Sequence, residues 1–583
     1  MTPSFSEIPE TDAPETVSFP SDVPDLTEIQ EMPSALRGPL ERYRKDRDTL
    51  ERKYPLALSA ARQARFEQLY RDWMAALQKL DFDALNATEQ ADYILFQDHL
   101  RNALRQSDLQ AKAQREMQPL LPFLPALLAL EETRQKMEWA DPAQTAATLH
   151  AAKAQVEEIR RKTEKALEKE QESGERAWKP TVANRAAAAV ESLQQTLEHW
   201  HKFYSGYDPL FSWWAETPYK ELENALAEYG AFLKEKVVGI GPEDKETIIG
   251  DPIGREALLA DLAADRIPYT PEELIEIAEQ ELAWCEAEMK QAAQELGYED
   301  WHDALEYVKT LHVAPGRQPA MIRELALEAI AFLEAHDLIS IPTLAKETWR
   351  MEMMTADQQR VNPFFLGGEV IQVSFPTQAM TQEEKRMSMR GNNLHFARAT
   401  VQHELIPGHH LQFHMLERYR TYRRLFGTPF WIEGWALYWE MLLWEKGFPG
   451  SAENRIGMLF WRTHRCARIV FSLKFHLEQM TPQECIEMLV ERVGHERANA
   501  TAEVRRSFLG TYPPLYQAAY MLGGLQMWAL RRELVETGKM TDRAFHDAIL
   551  KENNIPIEIL RAILTQQDLT PDVPSTWRFY QGY

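Results

Sequence analysis

The residues best suited to chemistry lie together between positions 403 and 410, where the sequence reads H-E-L-I-P-G-H-H. A common zinc site has two histidines four residues apart on a helix, one turn from each other, with a glutamate directly after the first. The histidines bind the ion and the glutamate activates a bound water. The pattern predicts a related zinc site, with His403 and His409 as ligands and Glu404 as general base.

The two histidines are separated by two residues more than in that pattern. Six residues rotate a side chain by about 240° in a regular helix, so an unbroken helix would point His409 away from His403. Pro407 has no amide hydrogen and its ring clashes with the carbonyl four residues earlier, while Gly408 permits unusual backbone angles. We therefore expect a bulge or break at Pro407-Gly408 that returns His409 to His403.

Two other interpretations of the motif remain open. His410 and His414 lie four residues apart and would share a helix face, although no acidic residue follows His410. The histidines could also serve only as helix caps or core residues. The Pro407-Gly408 pair and the further histidine behind it favour the metal site.

A third ligand is expected, because catalytic zinc usually has three protein ligands and one open position. Glu433 is flanked by two tryptophans, an isoleucine and a glycine within residues 431–435. A buried acid needs a partner or a metal, so Glu433 is the predicted ligand. Glu440, two turns later on the same face, is the alternative ligand, or it orients a ligating histidine. A salt bridge without metal is the remaining interpretation of Glu433.

The composition restricts the partners. The 583-residue chain has a formal net charge of −24. Nucleic acids and anionic membranes attract clustered lysine and arginine, so we expect neither as a partner. No stretch approaches the roughly 18 apolar residues of a membrane-spanning helix, so no transmembrane segment is expected.

The cysteines and the N-terminus bear on metal type and compartment. Three cysteines at positions 285, 466 and 485 match no metal-binding or redox spacing and are predicted to be buried thiols. A metal would therefore be held by histidine and carboxylate. The sequence as it stands has no signal peptide, which fits the cytoplasm, whereas removal of a signal would make the protein periplasmic or secreted. The compartment stays open.

The elements that must position these residues are mostly helical. Apolar residues recur every three or four positions in several segments, which predicts amphipathic helices over 58–80, 88–106, 143–172 and 182–205. Thr270 and Thr481 each begin a helix as a cap, followed by proline and a glutamate at the third position. A further helix from about Leu394 is expected to carry the metal motif.

The chain divides into three parts by pattern. Residues 1–34 are rich in proline, serine and acids and are predicted to be a flexible lead-in. Glycines and prolines at 239–254 predict a linker between an N-terminal helical lobe (35–245) and a catalytic helical lobe (246–583), which could form one integrated fold. The alternating run Glu369–Phe375 predicts a short strand, either an edge that pairs with an extended peptide or a structural hairpin.

These residues resemble a known family. The H-E-L-I-P-G-H-H run and the segment Glu433–Tyr438, which reads E-G-W-A-L-Y, resemble the two signatures of the bacterial domain-of-unknown-function 885 family. That family in turn resembles helical zinc peptidases such as thimet oligopeptidase and angiotensin-converting enzyme. Dipeptidyl peptidase III carries a motif with one extra residue between the histidines, and the motif of this chain would have two extra residues.

The resemblance continues over roughly residues 360–530. Arg465-Cys466-Ala467-Arg468 and His476 resemble a family segment in which Ser472 replaces a frequent aspartate. Glu503, Arg506, Tyr520 and Gly523 resemble a later segment whose Pro-Gly-Gln is not intact here, since Gln517 lies in a Pro-Pro-Leu-Tyr-Gln run. The resemblance implies Tyr520 as the first candidate donor to an oxyanion and His476 as the second.

The sequence thus predicts a mainly α, large, two-lobed, zincin-like helical fold with a deep cleft and a small β-element. The expected function is zinc-dependent hydrolysis of short peptides, because a deep helical cleft excludes folded proteins. A zinc hydrolase acting on a non-peptide amide or ester is one alternative. A helical scaffold that binds metal or peptide without turnover is the other. Substrate sequence preference, exo- or endo-cleavage and oligomeric state are left open.

Overall fold

The computed structural model describes residues 34–244, 247–359, 364–509 and 512–582. The prediction that residues 1–34 form a flexible lead-in falls almost entirely outside this range.

The described residues are mostly helical. The first seven helices are α1 Arg37–Lys53, α2 Ala60–Leu77, α3 Ala87–Met117, α4 Leu124–Gln135, α5 Pro142–Ser173, α6 Pro180–Ser205 and α7 Pro209–Phe232. The next eight are α8 Gly254–Ala264, α9 Pro271–Glu295, α10 Trp301–Thr310, α11 Gln318–Ala335, α12 Thr343–Thr348, α13 Ala356–Gln359, α14 Gln382–Gly391 and α15 Leu394–Glu404. The last eight are α16 His409–Leu416, α17 Pro429–Glu445, α18 Ala452–His476, α19 Pro482–Met488, α20 Arg497–Phe508, α21 Tyr516–Arg531, α22 Asp542–Glu552 and α23 Ile557–Leu564.

The one sheet within the described residues is small. It pairs β1 (Arg350–Met353) with β2 (Val370–Val373) in parallel, with Arg350 opposite Val370. The mainly α fold class with a small β-element is therefore confirmed.

Local sequence signals explain where several helices begin. The hydroxyls of Thr270 and Thr481 accept hydrogen bonds from the backbone amides of Glu273 and Glu484, whose carboxylates bond back to the threonine amides. Both capping boxes were predicted from the sequence. Asn393 caps α15 in a related way, by accepting from two amides of its first turn. These caps fix the start of the helix that carries the metal motif.

Three hydrophobic clusters form the described interior. The smallest packs strand β2 and α11 against α15, the helix that carries the metal motif. The second lies within residues 117–233, between helices α3 to α7. The largest combines residues 36–100 with residues 248–579. The clusters therefore do not divide the chain at residue 245, because α1, α2 and the first half of α3 pack into the same core as the metal motif.

Helices α17 and α21 pack unusually closely beside that motif. A Cβ atom on Gly523 would lie 2.0 Å from the carbonyl oxygen of Phe430, and one on Gly434 would lie 2.5 Å from the backbone of Gly523. Any side chain larger than hydrogen would push the helices apart. This contact lies one residue from Glu433 and three residues from Tyr520, so it determines how closely these two side chains approach.

Two further predictions from the sequence concern the cysteines and membrane-spanning helices. The three cysteines are buried thiols that form no disulfide with one another, as predicted. Within the described ranges, no helix combines the length and apolar character needed to span a membrane.

Candidate metal centre

The metal motif is split between two helices. Helix α15 ends at Glu404 and α16 begins at His409, so four residues, 405–408, form the predicted break. A Cβ atom at Gly408 would lie 1.7 Å from the carbonyl oxygen of His403, so only glycine fits there. The indole of Trp435 donates to the carbonyl of Pro407 at 2.9 Å and ties the break to α17. The imidazoles of His403 and His409 consequently lie 4.9 Å apart, centre to centre.

Glu433 of α17 completes a group of three donor atoms. Its Oε2 atom lies 3.5 Å from Nε2 of His403 and 3.2 Å from Nε2 of His409. That oxygen makes no hydrogen bond of acceptable geometry to any described residue. Donors about 2.0–2.2 Å from a shared tetrahedral zinc lie about 3.3–3.6 Å from one another. The two separations are therefore compatible with ligands that share one ion.

Each of these three side chains is also held at its other polar atom. His403 Nδ1 lies 2.7 Å from Glu440 Oε1, and His409 Nδ1 lies 3.1 Å from Gln412 Oε1. The hydroxyl of Tyr516 donates to Oε1 of Glu433. In each histidine the contact favours a proton on Nδ1 and leaves Nε2 free to coordinate. Glu440 thus occupies the orienting position that the sequence offered as an alternative to direct ligation.

The electrostatics of the cluster favour a bound cation. Burial opposes a charge on His403, but Glu433 and Glu440 outweigh burial and raise the pKa of this imidazole to about 9. Burial would raise the pKa of Glu433, yet the two adjacent imidazoles hold it well below its usual value. The buried carboxylates therefore create a negative potential at the Nε2 atoms, which a proton or a metal cation would relieve.

Glu404 lies beside the three donors. Its carboxylate and the two histidines offer atoms that all lie within 4.8 Å of one another, so Glu404 could itself be a ligand by distance alone. The oxygen of Glu433 lies closer to both Nε2 atoms, which makes Glu433 the better placed of the two candidate ligands. Burial raises the pKa of Glu404, which suits a proton acceptor. A Cβ at Gly367 would lie 2.2 Å from Glu404 Oε2, so backbone covers this carboxylate closely.

The rival histidine has other partners. His410 Nε2 lies 3.0 Å from the carbonyl oxygen of Ala345, and its Nδ1 lies 3.3 Å from that of Gly368. Both ring nitrogens therefore face backbone oxygens, and the structure does not bring His410 into the cluster.

The cluster opens into a cavity of about 460 Å³. Tyr520 lines it, with its ring stacked on His403 at 6.1 Å between centres. All described lining residues come from 364–520, so this cavity lies within the larger part of the chain. A larger depression, about 1000 Å³, lies between α3, α6 and α8 and lacks the metal cluster. The predicted cleft between lobes is thus not where the described site lies.

The second predicted oxyanion donor is elsewhere. His476 ends α18, eleven residues after Arg465, which is about 16 Å along a helix. Its ring packs against Phe475 and Phe508, and burial lowers its pKa to about 4. The structure does not bring His476 to the cavity.

The predicted strand does reach the cavity. β2 begins one residue later and ends two residues earlier than expected, and Glu369, Val370 and Gln372 line the cavity wall. However, the backbone of Gln372 already pairs with Leu366, at 2.7 and 3.0 Å. At this position the strand edge is occupied by its own chain, which favours the structural interpretation.

Several site residues had no role assigned from the sequence. Tyr516 precedes Tyr520 by four residues and shares its helix face, so helical spacing could have identified it. Gln412 follows His409 by three residues and could have been found in the same way. Other cavity residues are Arg465, Arg468, Arg506 and Tyr512. Their convergence depends on contacts between distant helices.

The chain is therefore a mainly α protein with two histidines and a carboxylate gathered at the break between two helices. The chain belongs to the family described as "Bacterial protein of unknown function (DUF885)", which it matches over residues 44–564. The family resemblance inferred from the motifs is confirmed.

Two solved structures share the fold. A protein described as a lipoprotein of unknown function from Shewanella oneidensis is 16% identical, with a TM-score of 0.65 over 90% of this chain and 98% of that one. One described as a lipoprotein from Colwellia psychrerythraea is 14% identical, with a TM-score of 0.56 over 91% and 98%. None of the curated proteins compared matches this chain. No activity is named in these descriptions, so the likeness to zinc peptidases rests on the motifs.

Proposed function

We propose that the protein is a zinc-dependent hydrolase that cleaves peptide bonds of short peptides. The observation that carries the proposal is the position of Glu433 Oε2, 3.5 and 3.2 Å from the Nε2 atoms of His403 and His409, with the other polar atom of each side chain held by a neighbour. His403, His409 and Glu433 would hold the ion. The chemistry that zinc supplies in such a site is Lewis-acid activation of water at neutral pH.

The protein's own residues supply proton transfer and positioning. Glu404 would take a proton from the attacking water on its carboxylate and deliver it to the departing amine nitrogen. The Tyr520 hydroxyl is the candidate donor to the oxygen on which negative charge develops. Glu440, Gln412 and Tyr516 would hold the three ligands in one orientation, and errors in orientation reduce metal affinity.

The choice of short peptides rests on the shape and lining of the cavity. A volume of about 460 Å³ lies in the range of small-ligand pockets and excludes a folded protein. Aromatic side chains, among them Phe413, Trp461 and Tyr512, could contact substrate side chains. The resemblance of the motif to zinc peptidases adds to this choice.

The test begins with metal content per chain, by mass spectrometry, after the protein is offered zinc. We expect about one zinc in the wild type and marked loss in folded His403→Ala, His409→Ala and Glu433→Ala variants. Glu404→Gln should retain zinc but lower kcat on a mixed peptide library by about 10²–10⁴-fold.

Each other outcome points to one alternative. Absence of zinc from carefully prepared wild type would contradict the proposal and leave the scaffold. Bound zinc with turnover of amides or esters but not of peptides would favour a non-peptide hydrolase. Retention of zinc by His409→Ala alone would contradict the assigned ligand set.

A further inference from the structure

One wall of the cavity carries three arginines. Arg465 and Arg468 come from α18 and Arg506 comes from α20, and we name these three residues the arginine wall. All three are buried. A guanidinium group keeps its charge at every relevant pH, so a buried one is unfavourable unless an anion faces it. The anions near the arginine wall therefore decide whether it is a structural or a binding feature.

The described carboxylates facing the arginine wall are fewer than the cations. Glu503 Oε1 accepts from Arg468 Nε at 2.7 Å, and Glu503 Oε2 lies 3.6 Å from Arg506 Nε. Glu440 Oε1 lies 3.6 Å from Arg465 Nη2, but it is already bonded to His403. Two carboxylates thus face three guanidinium groups, and one positive charge is not balanced.

The metal side of the cavity does not supply the missing anion. Glu433 and Glu404 are the described carboxylates beside the ligand atoms, and together they would balance the two charges of a divalent cation. The surplus charge of the arginine wall is therefore left for a ligand.

The arginine wall also has unused hydrogen-bond donors. Nε of Arg465, Nη1 of Arg468 and Nε of Arg506 are buried without a hydrogen-bond partner in the part of the chain that the structure describes. Buried donors without partners are rare in folded proteins and mark a place where a ligand or water bonds. The planar, two-oxygen anion that best matches guanidinium groups is a carboxylate.

The distance from the arginine wall to the metal centre limits where that carboxylate lies in a peptide. The guanidinium carbons of Arg465 and Arg468 lie 4.9 and 4.4 Å from the centre of the Tyr520 ring. That ring centre lies 6.1 Å from the His403 imidazole. An ion-pair contact takes up to about 4 Å of this path. The remainder spans at most about two residues at about 3.5 Å each.

We propose that the arginine wall binds a substrate carboxylate, that of the free C-terminus, and so directs cleavage to a bond one or two residues from the end of the peptide. The inference rests on the proposed hydrolase function, which it refines from short peptides in general to peptides with a free C-terminal carboxylate. An acidic side chain carries the same chemical group and is distinguished from the C-terminus by the test.

The test measures binding by calorimetry, so it does not depend on turnover. The full-length Glu404→Gln protein is titrated with N-acetyl-Ala-Ala-Ala, with its C-terminal amide, and with N-acetyl-Ala-Asp-Ala amide. We expect the free acid to bind on the order of 10–100-fold more tightly than either amide. Equal affinities for the free acid and its amide would overturn the proposal. Tight binding of the aspartate-containing amide would instead assign the arginine wall to acidic side chains.

Variants show whether the arginine wall is responsible. Arg465→Met and Arg506→Met, introduced separately, should reduce the affinity for the acid to that for the amide and leave the affinity for the amide unchanged. Arg462→Met is the matched control, because Arg462 lies three residues before Arg465 on the same helix but pairs with Glu281 at 3.0 Å. A preference for the acid that persists in both arginine variants would overturn the proposal.

Two further measurements keep the outcomes distinct. Where a methionine variant does not fold, Arg465→Lys retains the charge without the planar fork and should lower the preference for the acid in part. Zinc-loaded wild type is then assayed for hydrolysis of the same peptides. A preference for the acid without hydrolysis would refute the proposed function and leave the carboxylate site in place.

Discussion

The arginine wall differs from a second group of arginines in this protein, of which Arg423 is buried and Arg420 is half-buried. Arg423 and Arg420 lie with Asp92 and Glu552 in a group that we name the paired arginine cluster. Arg423 donates to Asp92 at 2.7 Å and also to Glu552, and Arg420 Nε lies 3.1 Å from Glu552. Ser34 and Tyr422 donate to the other oxygen of Asp92.

The charges are balanced in one group and not in the other. The paired arginine cluster has two cations and two carboxylates, joins α3 to α22, and lines neither cavity described above. The arginine wall has three cations, two carboxylates and a cavity beside it. Burial of arginine is therefore not by itself a sign of a binding site. An unbalanced charge next to a cavity is the informative feature.

The largest expected effect comes from breaking the paired arginine cluster. Arg423→Met would leave Asp92 buried without its counter-charge and half-buried Glu552 with Arg420 alone, which costs about 3–5 kcal/mol of unfolding free energy. Urea denaturation monitored by circular dichroism measures the change. Zinc content per folded chain should stay the same, since the cluster does not contact the metal centre. A loss under about 1 kcal/mol would contradict the structural role.

An intermediate effect is expected from pH, through His495 behind the arginine wall. Burial lowers the pKa of His495 to about 3, Glu503 opposes this, and Lys309, Arg468 and Arg465 add to the lowering. Nε2 of His495 lies 2.9 Å from Nδ1 of His464, whose pKa burial also lowers.

The sign of the effect follows from proton binding. Unfolded His495 gains a proton below about pH 6.5, whereas folded His495 stays neutral until about pH 3. His495 therefore does not lower the unfolding free energy above pH 6.5, but lowers it progressively as the pH falls from 6.5 towards 3. The loss by pH 4 is about 3 kcal/mol.

Denaturation at a series of pH values measures this loss. His495→Gln should flatten the decline between pH 6.5 and 4, and His150→Gln, at an exposed position, serves as control. An unchanged slope in His495→Gln would show that burial and the nearby positive charges do not keep this histidine neutral.

The smallest effect on stability is expected from the arginine wall itself. Burial and the charge of Arg468 both lower the pKa of Arg465, so the folded protein disfavours this cation. Arg465→Met keeps an apolar side chain between Trp461 and Tyr520 and removes a like-charge contact. The unfolding free energy should change by less than about 1 kcal/mol. A loss as large as that of Arg423→Met would show that the arginine wall is structural.

Much of the site was predictable because its signals are local. The break at Pro407-Gly408 follows from a missing amide and the lack of room for a side chain, both of which are written within six residues. Glu433 was identifiable because an acid among tryptophans has to be buried and therefore paired. The capping boxes at Thr270 and Thr481 are likewise contained in four residues each.

What the sequence missed or left open has a different physical origin. His476 shares a helix with Arg465 and Arg468, but its distance along that helix takes it away from the cavity. The sequence left open whether the two lobes form one integrated fold, and in the structure residues 36–100 pack with residues 248–579. Neither outcome follows from the spacing of apolar residues along the sequence, because both depend on which helices pack against each other.

The sequence by itself determined a mainly α chain, the family, and a split motif whose two histidines lie beside Glu433. It could do so because helix periodicity, caps and the effects of proline and glycine act over a few residues. Only the tertiary structure decided that Tyr516 holds Glu433, that Glu440 orients His403, and that Arg465, Arg468 and Arg506 share one wall. Those relations join helices separated by tens of residues in the chain, and they depend on close packing such as that of Gly434 on Gly523.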